Sequence, residues 1–394
     1  MSTENVKLWN SEYIKVFIGN FSIFFSFMLL MPLLPIYLKE TFNADNDLIG
    51  VVLSGYVVMA LISRSFSGYL VDSLPRKKVL VLSFFLFFLF FAGYLVPGSL
   101  LFFAIIRTLH GVPFGSATVA NSTVAIDVLH PSRRAEGIGF YGLSNNIATA
   151  ISPFVAIQIY HATQNYNLIF GLALATSAIG LIASYSVKLP ERELVVNKAP
   201  ISLDRFFLLP AWRIAASLVC LSFSYGVVST YVAIYGQEKL GITGGSGFFF
   251  ALLAIGLGLS RLVGSRSLRN GKVVQNAAVG CCISLFGYLA FAAGQNEICY
   301  FGSALIVGLG NGHMFPAYQT MFINLAEHNQ RGTASSSLLV SWDVGVGLGI
   351  LVGGVVSRYY DYTAAFWCAW VVNVLGVAIF FFLVKKFYET HKLR

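Results

Sequence analysis

The chain has 394 residues, 57% of them hydrophobic and only 11% charged, and its mean hydropathy is +0.74. Such a composition excludes an ordinary soluble domain and points to an all-α membrane protein. The net charge of +9 is spread over many short segments between apolar runs, which excludes a nucleic-acid-binding face.

A helix crosses the bilayer with about 20 apolar residues. Runs of that size occupy 14–38, 48–71, 79–97, 100–124, 136–160 and 166–187, then 212–236, 246–264, 273–294, 298–325, 332–357 and 363–384. Twelve transmembrane helices are therefore expected. The first run follows a polar start and is too long for the core of a cleavable signal peptide. Orientation follows from Lys and Arg. With the amino terminus inside, the outer loops hold only Lys39, Lys239 and Arg358, beside Glu40, Asp45, Asp47, Glu238, Glu297 and Asp361. The inner loops collect Arg133, Arg134, Lys188, Arg192, Arg266, Arg269, Lys272, Lys385 and Lys386, among others. Both termini are thus expected in the cytoplasm, with the chain in the cell (inner) membrane. Cys220, Cys281, Cys282, Cys299 and Cys368 lie in or beside apolar runs without metal-ligand spacing. They read as small hydrophobes, and no metal or cofactor is expected.

Residues 68–78, Gly-Tyr-Leu-Val-Asp-Ser-Leu-Pro-Arg-Lys-Lys, form a short basic turn between the second and third runs. Asp72 followed by Arg76, Lys77 and Lys78 cannot lie in hydrocarbon, so the turn marks the cytoplasmic face. The segment resembles the loop 2–3 signature of the major facilitator superfamily, Gly-x-Leu-Ala-Asp-x-x-Gly-Arg-Lys-x, with Pro75 where the family has Gly. The resemblance implies a transporter in which this loop is a conformational latch. Asp127, near the inner end of the fourth run, completes a carboxylate–arginine–carboxylate set with Asp72 and Arg76, and Gly68 and Glu136 are expected at the same gate. Opposite charges within about 4–6 Å attract more strongly where water is partly excluded. The competing reading is that these charges only fix topology.

On the fourth run, Arg107-Thr-Leu-His110-Gly resembles the family motif Arg-x-x-Gln-Gly, with His for Gln. An arginine far from either helix end should face a water-filled cavity or a partner. The resemblance implies proton coupling or contact with an anionic part of a substrate; a structural arginine bonded to carbonyls is the alternative. His110, one turn away, either titrates near neutral pH or packs between helices. The fifth run keeps Gly142 and Pro153 of the family's antiporter motif but has Ala148, Ser152 and Ala156 at its other small positions. These still permit close helix approach.

A polar connection, 188–210, divides the chain near its midpoint. The expected organisation is an amino-terminal six-helix half (1–187), a cytoplasmic linker (188–210) and a carboxy-terminal six-helix half (211–394). A shift of 197 places Arg134 on Arg331, Gly111 on Gly308 and Gly115 on Gly312, and a shift of 196 places Gly68 on Gly264. Two pseudo-symmetric halves with a solute site between them are the plan of a facilitator-type transporter. The repeat fails at charged positions: Leu268 stands opposite Asp72, Asn324 opposite Asp127, and Ala304 opposite Arg107.

Asp343, in Ser341-Trp342-Asp343, aligns with Asn146. It lies eleven residues from the inner end of its run, roughly 16 Å along a helix, and is the one acid expected deep in the membrane. His313 sits at similar depth in the glycine-rich tenth run, and the two are expected to form a protonation pair; a structural role for Asp343 in capping amides is the alternative. Asn20, Ser26, Tyr56, Asn145, Asn146, Ser222, Tyr225, Tyr231, Asn311 and Gln319 are polar positions expected to line the central cavity. The phenylalanine-rich stretch 84–91 is expected to face mostly lipid.

No zinc-ligand spacing, phosphate loop or nucleophile elbow is found, so a membrane enzyme or receptor explains only the spans. The lack of a nucleotide motif leaves an ion gradient as the energy source. The expected partners are a small-molecule substrate, protons and the lipid bilayer, with a monomer as the working unit. The chain resembles most the drug and sugar efflux branch of the superfamily, which implies proton antiport; proton-coupled uptake by symport is the runner-up.

Overall fold

A computed structural model describes residues 7–31, 33–44, 46–96, 98–189, 206–242 and 246–393. Of the expected linker, residues 190–205 lie outside the described residues. The described residues are mostly helical: α1 (Ser11–Leu30), α2 (Leu34–Phe42), α3 (Asn46–Ser73), α4 (Arg76–Tyr94), α5 (Leu100–Val128), α6 (Arg134–Thr163) and α7 (Tyr166–Ser186). There follow α8 (Trp212–Leu240), α9 (Ser246–Arg269), α10 (Val273–Ala293), α11 (Glu297–Leu325), α12 (Arg331–Tyr359), α13 (Tyr362–Ile379) and α14 (Lys385–His391).

Ten helices among the described residues are long and apolar enough to span a membrane. α6 and α9 are also long enough, with 30 and 24 residues; α6 carries Ser144, Asn145, Asn146 and Thr149 along its length, and the described apolar stretch of α9 is Gly247–Ser260. The first run differs from expectation. One helix ends at Leu30 and α2 begins at Leu34 with a proline in its first turn, where a missing amide donor costs no helix bond. The helices α1, α5, α7, α11 and α13 each start on a side-chain cap, which satisfies an amide of the first turn. Ser99 accepts from the Phe102 amide to start α5, and Asn296 accepts from the Cys299 amide to start α11, at 3.2 and 2.9 Å.

These two caps stand 197 positions apart (99 to 296), and the helices they start both run 29 residues. Packing repeats at the same offset. A Cβ on Gly111 would lie 2.2 Å from the Tyr56 carbonyl oxygen, and one on Gly308 would lie 2.1 Å from that of Leu253. A Cβ on Gly115 would lie 2.5 Å from the Ala60 carbonyl oxygen, and one on Gly312 would lie 2.1 Å from the Ser260 hydroxyl and 3.1 Å from the Leu257 carbonyl oxygen. The glycine matches therefore have a physical cause: α5 lies on α3, and α11 on α9, with backbones too close for any side chain.

The chain forms two compact units. One comprises Met1–Arg133, Ser144–Phe207 and Asn329–Ser336, and the other Arg134–Leu143, Leu208–His328 and Ser337–Arg394. In the second, Phe249, Phe291, Tyr300 and Phe366 anchor an aromatic core. In the first, Phe84, Phe87 and Phe91 are buried at helical spacing while Leu82, Phe85 and Leu89 stay exposed. The 84–91 stretch thus divides between core and outer surface. At the end of α13, a five-residue π turn, Phe380–Val384, leads into α14. There Tyr388 is buried and accepts a hydrogen bond from the Asn324 amide at 2.7 Å.

Candidate functional site

Within the first unit, the ends of α3, α4 and α5 meet the first turn of α12. Arg76 donates one terminal nitrogen to Asp72 at 3.2 Å and the other to Asp127 in a very close contact. Asp127 also accepts from Arg331 at 2.9 Å. Asp72 in turn accepts from the backbone amides of Gly332 and Thr333 at 2.9 and 2.8 Å. A carboxylate here satisfies amides that have no partner inside α12 and meets the positive end of its helix dipole. Two carboxylates and two guanidiniums alternate in a chain whose side chains are 6–12% exposed. In such surroundings, removing one partner leaves the charge that faced it poorly compensated.

Gly68 makes this approach geometrically feasible. A Cβ there would lie 2.7 Å from the Ser336 Cβ and 2.9 Å from the Gly332 carbonyl oxygen. Gly332 is equally tight against the Gly68 carbonyl. The sequence-predicted Gly68, Asp72, Arg76 and Asp127 are therefore brought together. Glu136 is buried but belongs to the other unit. Sequence reasoning missed Arg331, Gly332 and Thr333 as members, although Arg331 had marked the repeat.

Arg107 is 1% exposed. Its guanidinium carbon lies 4.0 Å from the Tyr56 ring centre and 5.6 Å from that of Phe27, and it donates to the Tyr94 hydroxyl at 3.4 Å. Tyr94 also bonds His110 Nδ1 at 2.8 Å, which links the two motif residues through one hydroxyl. His110 is enclosed by Phe87, Phe90, Phe91 and Tyr56. Of the two surroundings expected for Arg107, the structure gives a partner set made of rings and a phenol.

In the second unit, His313 Nδ1 meets Asn276 Oδ1 at 2.9 Å, and the Asn276 amide donates to the His313 carbonyl at 2.8 Å. Asp343 is half-buried on α12. Its neighbour Trp342 packs against Tyr225 and Phe315. The expected cavity residues divide. Asn20, 1% exposed, donates to Ser144 at 2.8 Å and so ties α1 to α6. Asn311 and Gln319 are buried, whereas Asn145, Asn146 and Tyr225 keep partial exposure. Among the described residues no group of three acids, histidines or cysteines could hold a metal.

A profile of the Major Facilitator Superfamily matches residues 16–338 and 277–393. The Staphylopine export protein of Staphylococcus aureus (strain Mu50 / ATCC 700699) is 23% identical over 362 residues, covering 88% of each chain. The uncharacterised MFS-type transporter YhhS of Escherichia coli K12 is 24% identical over 362 residues, covering 88% of this chain and 86% of its own. Among solved structures, that of the MFS transporter FucP in the outward conformation is similar with a TM-score of 0.77 at 15% identity, covering 97% of this chain and 99% of that one. The chain belongs to the major facilitator superfamily and is a multi-pass membrane transporter of a small solute, not an enzyme.

Proposed function

We propose that this transporter exports its solute in exchange for protons, by alternating access between six-helix halves 1–187 and 211–394 joined by the linker 188–210. The observation that carries the gating part is the network of Asp72, Arg76, Asp127 and Arg331 with the Gly332 and Thr333 amides. It fastens the first turn of α12 and acts as a latch at the cytoplasmic end, with Gly68 as its close-contact point and Glu136 as a further gate residue. The direction rests on the likeness to the Staphylopine export protein. The Lys and Arg distribution supports an inner-membrane location with both termini in the cytoplasm, and the working unit is a monomer.

Proton coupling is assigned to Asp343, with Arg107, His110 and His313 as the groups that tune it. Asn20, Asn145, Asn146, Tyr225, Asn311 and Gln319 are assigned to the solute path. Protons and solute then compete for one conformational equilibrium, the minimum that coupling requires. The test is accumulation in proteoliposomes of the parent and Asp343→Asn under an imposed pH gradient. The variant is expected to retain solute exchange down its own gradient and lose pH-driven accumulation. Unchanged pH-driven accumulation would place the proton site elsewhere. Accumulation along the proton gradient in the parent would make the chain a symporter.

A further inference from the structure

The structure assigns a binding site for the headgroup of an anionic phospholipid to the second unit, where α8 starts and α13 passes into α14, with Arg213 as the phosphate ligand. The site uses none of the residues assigned to the solute path or the latch. Its two segments meet through rings. The guanidinium carbon of Arg213 lies 4.4 Å from the ring centre of Phe387 on α14 and 5.4 Å from that of the adjacent Trp212. His391 stacks on Phe387, with ring centres 4.4 Å apart. Tyr388 is buried and bonded to Asn324 of α11, and the Leu393 amide donates to the Asn324 carbonyl at 2.9 Å. α14 is thereby fixed against α8 and α11, and the protein itself holds Arg213 in place.

Stacking uses the faces of a guanidinium and leaves the N–H fork at its edge able to bind. Among the described residues nothing takes that fork: half-buried Arg213 has ring contacts but no hydrogen bond or ion pair. Lys385 and Lys386, just before Phe387, are exposed, and Lys392 lies beyond it with its Nζ 6.0 Å from the Tyr388 ring centre. Residues 205–237 contain no acid, and 385–392 contain one, Glu389, which pairs with none of the four cations. A basic cluster at the end of a span attracts anionic lipid, and parallel guanidinium donors match the two free oxygens of a phosphodiester. The surroundings fit the rest of that molecule. Leu209, Trp212, Phe382 and Leu383 are exposed near the ends of the same two spans, where apolar side chains meet acyl chains and tryptophan sits at headgroup level. A soluble anion would use the cations but gain nothing from this apolar rim. Topology alone asks for cations at this end, and does not ask that one of them be stacked on rings with its fork left open.

The test follows thermal unfolding of the full-length protein in detergent, with dioleoyl phosphatidylglycerol, dioleoyl phosphatidylcholine or inorganic phosphate added. Phosphatidylglycerol is expected to raise the unfolding temperature saturably, and the other two are not. Arg213→Gln should raise the half-saturating concentration about tenfold, and Arg213→Lys by a smaller factor, because lysine keeps the charge but loses the fork. Lys272→Gln removes an exposed charge from the turn before α10 and should leave that concentration within about a factor of two. Gel filtration and the unliganded unfolding temperature check that the variants fold; if Arg213→Gln does not, Arg213→Lys carries the comparison. The assignment is overturned by no response to phosphatidylglycerol, or by an equal response to phosphatidylcholine or inorganic phosphate. Equal responses in the parent and the Arg213 variants, or as large a loss in Lys272→Gln, would overturn it too.

Discussion

Thr333 gives both its backbone amide and its hydroxyl to one carboxylate oxygen of Asp72, at 2.8 and 3.0 Å, although 261 positions separate them. The other oxygen takes the Gly332 amide and Arg76. All the acceptor capacity of Asp72 is thus directed at the first turn of α12 and its own salt-bridge partner. An amide side chain could keep the bonds at one oxygen but neither the charge nor the second acceptor oxygen.

Asp72→Asn is therefore expected to impair transport while leaving the amount of folded protein nearly unchanged. Hydrogen bonds to charged groups contribute about 1.5–3 kcal/mol against about 0.5–1.5 for neutral ones, a difference that shifts the latch equilibrium on the order of tenfold. Labelling of single cysteines at the cytoplasmic mouth should rise accordingly; labelling equal to that of the parent would remove the latch. Asn324→Asp is the control at the repeat-related position. There Asn324 bonds only the Tyr388 hydroxyl and the Leu393 amide among its described partners, and an aspartate could accept from the same hydroxyl, so its effect should be much smaller.

Two glycine substitutions should separate gating from folding. In Gly68→Ala the new methyl meets Ser336 and Gly332, so the first turn of α12 is pushed off the network while α3 keeps its other packing. In Gly111→Ala it meets the Tyr56 backbone between two helices that have no room to part. Overpacking of this kind costs about 1–3 kcal/mol or more. Gel filtration of the detergent-solubilised protein should show a normal peak for the first and a depleted one for the second, with transport lost in both.

Arg107 should tolerate lysine better than alanine. Lysine retains a cation over Tyr56 and Phe27 but not the planar reach to the Tyr94 hydroxyl. Partial transport is expected for Arg107→Lys and none for Arg107→Ala. Full transport by the alanine variant would reduce Arg107 to a packing residue.

Outside the spans, Glu40 accepts from the Tyr166 and Tyr160 hydroxyls at 2.6 and 2.9 Å. These two bonds, the Tyr166 bond foremost, hold its carboxyl below the usual glutamate range. A depressed folded-state value means the contribution is complete above the unfolded value and disappears as pH falls through the folded one. Thermal unfolding of the parent and Tyr166→Phe should therefore differ at pH 6–7, and the difference should shrink to nothing on acidification below the ordinary glutamate value of about 4.3. A gap that widens towards acid would contradict the assignment.

How much of this was legible beforehand depended on whether the governing contact was local. The helices were, because span length and apolar composition act over about 20 neighbouring residues. The break in the first helix was legible in principle, since Met31-Pro-Leu-Leu-Pro35 carries two prolines, but a count of apolar residues passes through it. The Asp72–Arg76 pair, four residues apart across a turn, could be read directly. Arg331 could not, because its bond to Asp127 spans 204 positions and nothing local distinguishes it from a topogenic arginine. The Asn20–Ser144 bond, which spans 124 positions, could not be read from polarity alone.

The matched seams, Gly111 on Tyr56 and Gly308 on Leu253, also bear on how such a chain can be altered. A duplicated gene inherits its tightest packing already solved, twice, and both copies must stay small at these points to remain folded. Positions not used by the seam carry no such debt to their twin. That is where the copies have parted: Arg107 against Ala304, Asp127 against Asn324, Asn146 against Asp343. A redesign aimed at a new cargo has its freedom in those unmatched pairs, and grafting one copy's residue onto the other is the smallest step by which the two halves could exchange roles.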